Sequence, residues 1–202
     1  MEEKEKYFED LVHIRTLMER STRFISLSGL SGVFAGFYAL MGAAVAYYLI
    51  FMSDIRSTIS PQRMTWFLIL DAACVLVLAF ITALYFSKKK AKANGEVLWS
   101  KPAFQMAENV GIPLAAGGAF SLILLSKGFY GLVGPAMLIF YGVSLVSGSK
   151  YTVKDIRYLG ILEIVLGLIN CFYIGYGIYF WALGFGILHI IYGVVMYYKY
   201  ER

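Results

Sequence analysis

Apolar and polar positions along this chain are sorted into long blocks. From Phe24 to Tyr198, runs of about twenty apolar residues alternate with short polar segments, and that is the length at which a helix crosses a bilayer. Six runs are readable, at about 24–51, 64–86, 109–126, 129–146, 158–174 and 179–198. Backbone in lipid must satisfy its own hydrogen bonds, so each run predicts a transmembrane helix. Residues 1–23 follow a different pattern. Tyr7, Leu11, Ile14 and Met18 recur at helical spacing beside Phe8 and Val12, and Glu, Lys and Arg fill the other faces. This predicts an amphipathic helix ahead of the membrane. Such a helix lies on the inner leaflet or against cytoplasmic loops, or it presents a contact surface to a cytoplasmic protein partner. The expected fold is all-α: a polytopic membrane protein with an amphipathic cytoplasmic helix over 1–23 and a bundle of six transmembrane helices over 24–202.

Charge gives the bundle a direction. Only 15% of the 202 residues are charged and 59% are hydrophobic, against about a quarter charged in a soluble domain. No stretch is left for a separate soluble catalytic domain. Lys4, Lys6, Arg15, Arg20 and Arg23 precede the first run; Lys88, Lys89, Lys90, Lys92 and Lys101 lie between the second and third. Lys150, Lys154 and Arg157 lie between the fourth and fifth, and Lys199 and Arg202 follow the sixth. That places fifteen basic residues on one side and three, Arg56, Arg63 and Lys127, on the other. An excess of Lys and Arg marks the cytoplasmic side. Both termini are therefore expected in the cytoplasm, with the protein in the inner (plasma) membrane. The net charge of +5 follows from these helix ends and does not point to nucleic acid. The partner implied is the lipid bilayer, and a homo-oligomer is compatible with it. The polar start of the chain predicts no cleavable signal peptide. Cys74 and Cys171 fall inside apolar runs and read as small core residues, not a disulfide framework.

The runs also repeat. FYGLVGPAMLIFYGVSL, starting at Phe129, aligns without gaps on FWALGFGILHIIYGVVM, starting at Phe180, with six of seventeen positions identical, including Tyr-Gly-Val at Tyr141 and Tyr192. Gly111, Ile112 and Gly118 match Gly160, Ile161 and Gly167 after a shift of two. The third and fourth spans thus read as a copy of the fifth and sixth in parallel orientation, with the first pair as a more diverged copy. Glycine-marked hairpins of the type G-I-L-x-I-x-x-G, here GILEIVLG, resemble the small six-helix HdeD-like acid-resistance membrane proteins. The resemblance covers the last two hairpins best. It implies a role in envelope stress and carries over no catalytic residues. The charged N-terminus and the Lys88–Lys90 loop depart from that pattern.

Few groups inside the runs can carry chemistry. Asp71 and Glu163 are the acids within spans, and no Lys or Arg joins them. An ionisable group at membrane depth is costly and marks a functional-site candidate. At about 1.5 Å rise per residue, Asn170 and His189 fall near the midplane, Glu163 nearer the cytoplasmic edge and Asp71 close to the level of Asn170. Glu163, Gly167 and Asn170 share one helical face, as do Gly186, His189 and Gly193. These small residues favour close helix approach, and Gly32 and Gly36 supply the same device in the first span. The candidate binding or proton-relay residues are Glu163, His189, Asn170, Asp71 and Tyr192. The alternative is that the glycines only pack helices and His189 only satisfies a neighbour. A metal site requires Asp71, Cys74 or Cys171 to join, and no ligand spacing supports it.

Several chemistries lack their residues. There is no interior Lys for a retinal Schiff base, no second intramembrane His for paired haem ligation, no HExxH and no Walker loop. No cofactor is expected, and an enzyme of a familiar intramembrane type is disfavoured. Two function classes remain: a small transport or ion/proton-conducting protein using Glu163 and His189, or a membrane sensor or scaffold acting through its N-terminal helix and cytoplasmic loops.

Overall fold

The computed structural model describes residues 26–52, 59–95, 97 and 99–202. The amphipathic helix expected over 1–23, and Arg56, lie outside the described residues. Those residues form six helices and no strand. They are α1 Gly29–Met52, α2 Pro61–Ala93, α3 Lys101–Ser126, α4 Tyr130–Tyr151, α5 Asp155–Phe172 and α6 Gly177–Tyr200. All but α5 are long and apolar enough to cross a membrane. The sequence predicts a span here too. The helix is 18 residues long, however, and includes Asp155, Arg157 and Glu163, so its charge is too high for its length. The helices otherwise follow the apolar runs, and α2 and α3 extend past them. α2 continues through Ser87–Ala93, and α3 begins eight residues early, at Lys101. Gly128 (φ +81°) and Gly175 (φ +105°) make the tight turns before α4 and α6, in a region of backbone space that favours glycine.

The interior is small and polar, the outside large and apolar. Ala39, Ala43, Ala103 and Ala136 are buried, whereas Leu70, Leu76, Phe80 and Ile81 are more than half exposed. Side chains sorted this way suit lipid as solvent, where close van der Waals contact between backbones holds helices together. α2 packs chiefly against α1, and α3 against α4. α1 pairs with α6, α4 pairs with α5, and α6 bridges the two pairs.

Both central pairs use one sequence device. Four helices carry an eight-residue pattern: GLSGVFAG (29–36), PAMLIFYG (135–142), GILEIVLG (160–167) and GILHIIYG (186–193). Each closes on glycine, and its fifth position is β-branched: Val33, Ile139, Ile164 or Ile190. A Cβ added at Gly36 would stand 2.5 Å from the Gly186 carbonyl and 2.9 Å from the Ile190 nitrogen. One added at Gly142 would stand 2.5 Å from the Gly160 carbonyl and 2.9 Å from the Ile164 nitrogen. Backbones meet at the same separation in the two antiparallel pairs. The fourth positions of the pattern are Gly32, Leu138, Glu163 and His189, so the polar candidates sit at equivalent places in α5 and α6.

One end of the bundle is clasped twice. The Glu201 carboxylate, just past α6, accepts from the Gly29 N–H (2.5 Å) and the Ser28 hydroxyl (3.1 Å). Ser28 itself makes no side-chain cap to α1, so Glu201 satisfies a first-turn donor and places negative charge at the positive end of the helix. Lys90 Nζ of α2 donates to the Leu27 carbonyl (2.8 Å) and lies 3.4 Å from Glu201. In the second clasp, Lys199 Nζ (2.8 Å) and the Tyr200 hydroxyl (2.5 Å) both donate to Asp155 at the start of α5. Burial pushes the Asp155 carboxyl up, but those two hydrogen bonds and the Lys199 charge outweigh it and hold the group below its ordinary value.

Candidate functional site

The α4–α5–α6 contact places Glu163 where the sequence puts a polar residue on a glycine-flanked face. Its side chain is 0% exposed, and neither carboxylate oxygen has a hydrogen-bond partner among the described residues. Room for it exists because α6 presents Gly184: a Cβ there would collide with Glu163 Oε2 and press on Leu138. Gly184 belongs to a stretch of wider π-helical turn, Ala182–Leu188, that ends at His189. Such turns are rare and recur at functional sites.

His189, 7% exposed, touches all three helices. Its Nδ1 lies 3.0 Å from the Gly184 carbonyl and 3.5 Å from Glu163 Oε1. Its Nε2 lies 2.7 Å from the Tyr141 hydroxyl of α4. Phe185 packs on both rings, 5.0 Å from Tyr141 and 6.1 Å from His189 between centroids. The result is an acid, an imidazole and a phenol in sequence, walled by glycine and aromatic carbon. A carboxylate ionised here beside a neutral imidazole would be a bare charge, at an effective penalty of several kcal/mol. Charge balance is met either by a protonated Glu163 with neutral His189 or by a carboxylate with imidazolium. The pair is thus built to hold one proton in excess of the bare carboxylate and neutral ring.

Asn170 is also 0% exposed, two turns along the same face. Its Nδ2 donates to the Tyr173 carbonyl at 3.3 Å, while its Oδ1 has no hydrogen-bond partner among the described residues and faces Gly134 and Gly177. The α6 glycines at 177 and 184 thus stand opposite the α5 polar residues at 170 and 163. Asp71 is elsewhere: it lies against Gly42 of α1, because α2 packs chiefly against α1. Tyr192 is not at the pair either, having Asp155, Tyr158 and Lys199 as its polar neighbours. The hydroxyl that meets His189 belongs to Tyr141, which occupies the same place as Tyr192 in the aligned Tyr-Gly-Val segments. That alignment was the available signal for Tyr141, and it does not say which copy faces inward. Among the described residues, no group of three His, Cys, Asp or Glu side chains is placed to hold a metal ion. No known protein family, curated protein or solved structure matches this chain.

Proposed function

We propose that this is an integral membrane protein that moves protons or small cations by means of Glu163 and His189. The observation that carries the reading is the buried Glu163 carboxyl, without a hydrogen bond among the described residues, 3.5 Å from His189 Nδ1. An acid held this way at membrane depth has no evident packing value, because an apolar residue of similar size fills the space at lower cost. All six helices span the inner membrane in this reading. Five have the length and apolarity for it, and α5 owes its deficit to charges at its first turn and to Glu163 itself. Both ends of the bundle chain lie in the cytoplasm, a placement supported by the basic residues and by the Glu201–Gly29 contact, which puts the start of α1 and the end of α6 together. The matching glycine contacts of α1–α6 and α4–α5 support descent from a repeated hairpin. They keep the HdeD-like resemblance, and with it a setting in envelope stress, as part of the proposal.

The second reading, a sensor signalling through its cytoplasmic end, is favoured by one feature. The helix that carries His189 also ends in the clasp on α1, next to where residues 1–23 join. Proton uptake into liposomes separates the two. Wild type should take up protons, and Glu163→Gln, which keeps shape and an acceptor oxygen but cannot titrate, should not. Equal uptake by wild type, Glu163→Gln and empty liposomes would end the transport reading and leave the sensor.

A further inference from the structure

We infer that Tyr141 is the third member of this site and fixes the face of His189 at which a proton is taken up, an inference that rests on the proton-carrying reading above. Hydrogen-bond chemistry leads there. A carbonyl oxygen can only accept, so the 3.0 Å contact between Nδ1 and the Gly184 carbonyl requires a proton on Nδ1. Glu163 Oε1 lies 3.5 Å from the same nitrogen, without a hydrogen bond among the described residues. A neutral imidazole has one N–H, so Nε2 is bare and accepts the hydroxyl proton of Tyr141 at 2.7 Å. The ring is therefore polarised, donor toward α5 and acceptor toward α4.

This polarity decides how a proton can move. Glu163 cannot hand a proton to the nitrogen that faces it, because that nitrogen already holds one. Once the pair has given up its extra proton and stands as carboxylate and neutral ring, uptake takes place at Nε2. A hydronium ion on the far side of Tyr141 gives a proton to Oη as Oη gives its own to Nε2. Water is released, Tyr141 is neutral before and after, and His189 becomes imidazolium. The imidazolium then stands beside the Glu163 carboxylate, with Nδ1 still donating to the Gly184 carbonyl. Tyr141 has meanwhile turned from donor to acceptor. The titratable groups facing His189 are Tyr141 from α4 and Glu163 from α5. From α1, the described residues against that stretch of α6 include Gly32, Gly36 and Leu40, none of which can titrate.

The chain contains two histidines, which makes the test clean. In His13→Gln protein, labelled with 15N-histidine and held in lipid nanodiscs, every imidazole signal belongs to His189. With the ring neutral, wild-type His189 should show a protonated Nδ1 and a bare, hydrogen-bonded Nε2. Tyr141→Phe keeps the ring that packs on Phe185 and His189 but removes the donor. It should shift the Nε2 signal and lower proton uptake by about a hundredfold or more, the low end of what a positioned proton-transfer group contributes. A proton on Nε2 in the wild type, or an Nε2 signal indifferent to Tyr141→Phe, would overturn the inference. Should wild-type liposomes take up no more than empty ones while the Nε2 signal still responds, the transport reading falls and the polarised triad stands.

Discussion

At the scale of single residues, the molecule places polar groups where a neighbour has given up its side chain. Glu163 fits because position 184 is glycine, and Asn170 lies opposite Gly134 and Gly177. Removing a side chain across an interface makes space for a carboxyl or an amide without parting the helices. The exposed end of the bundle handles charge differently. Asp155, held below its ordinary value by Lys199 and Tyr200 after its burial is overcome, stabilises the fold above the unfolded carboxylate value of about 3.9. That contribution is lost as pH falls through the lower, folded value. Water screening limits it to about 1 kcal/mol or less. Asp155→Asn should therefore lower the melting temperature slightly at pH 7, and the gap to wild type should close as the pH is taken below 4. An equal gap at pH 3 and pH 7 would mean that the charge of Asp155 is not what holds the clasp.

At the scale of elements, the pairing of helices is a matter of glycine register. Gly36→Ala and Gly142→Ala should each destabilise the protein in detergent by about 1–3 kcal/mol, the usual result of overpacking, since both new methyl groups meet backbone at 2.5 Å. Gly118→Ala, with nothing within 4 Å of its Cβ, should be neutral or slightly stabilising. Equal melting curves for all three would refute the shared interface. The helices themselves were legible in the sequence, because the length of an apolar run is the physical quantity that a bilayer selects. Their partners were less so: leucine against lipid is worth little more or less than leucine against leucine, and apolar runs do not say which face meets which. Glu163 and His189 could be picked out because charge inside an apolar run is expensive wherever the run packs. Asp71 satisfied that rule too, yet its helix packs chiefly against α1. Tyr141 escaped notice because phenols are common here, sixteen in the chain, and are at ease on either side of a membrane helix.

For the whole molecule, the proposed topology has an even number of crossings, which would return the chain to its starting side, and the basic residues point to the cytoplasm as that side. In a chain freed of Cys74 and Cys171, a cysteine replacing Lys89 or Lys154 should be silent to impermeant thiol reagents in intact cells, and one replacing Arg63 or Lys127 should react. Labelling at Lys89 from outside would reverse the orientation. The pairing of α1 with α6 has a consequence for how the protein is made. Gly29 and Gly36 emerge from the ribosome 150 residues or more before their counterparts Gly193 and Gly186. At typical rates of synthesis that interval is about ten to thirty seconds. α4 and α5 meet almost as soon as they are made, but in the proposed topology the glycine groove that α1 presents to α6 stays bare until α6 has been made. A nascent chain halted before Gly186 leaves that groove open to any passing membrane segment with small residues on its face, and quality-control machinery has that window in which to recognise it.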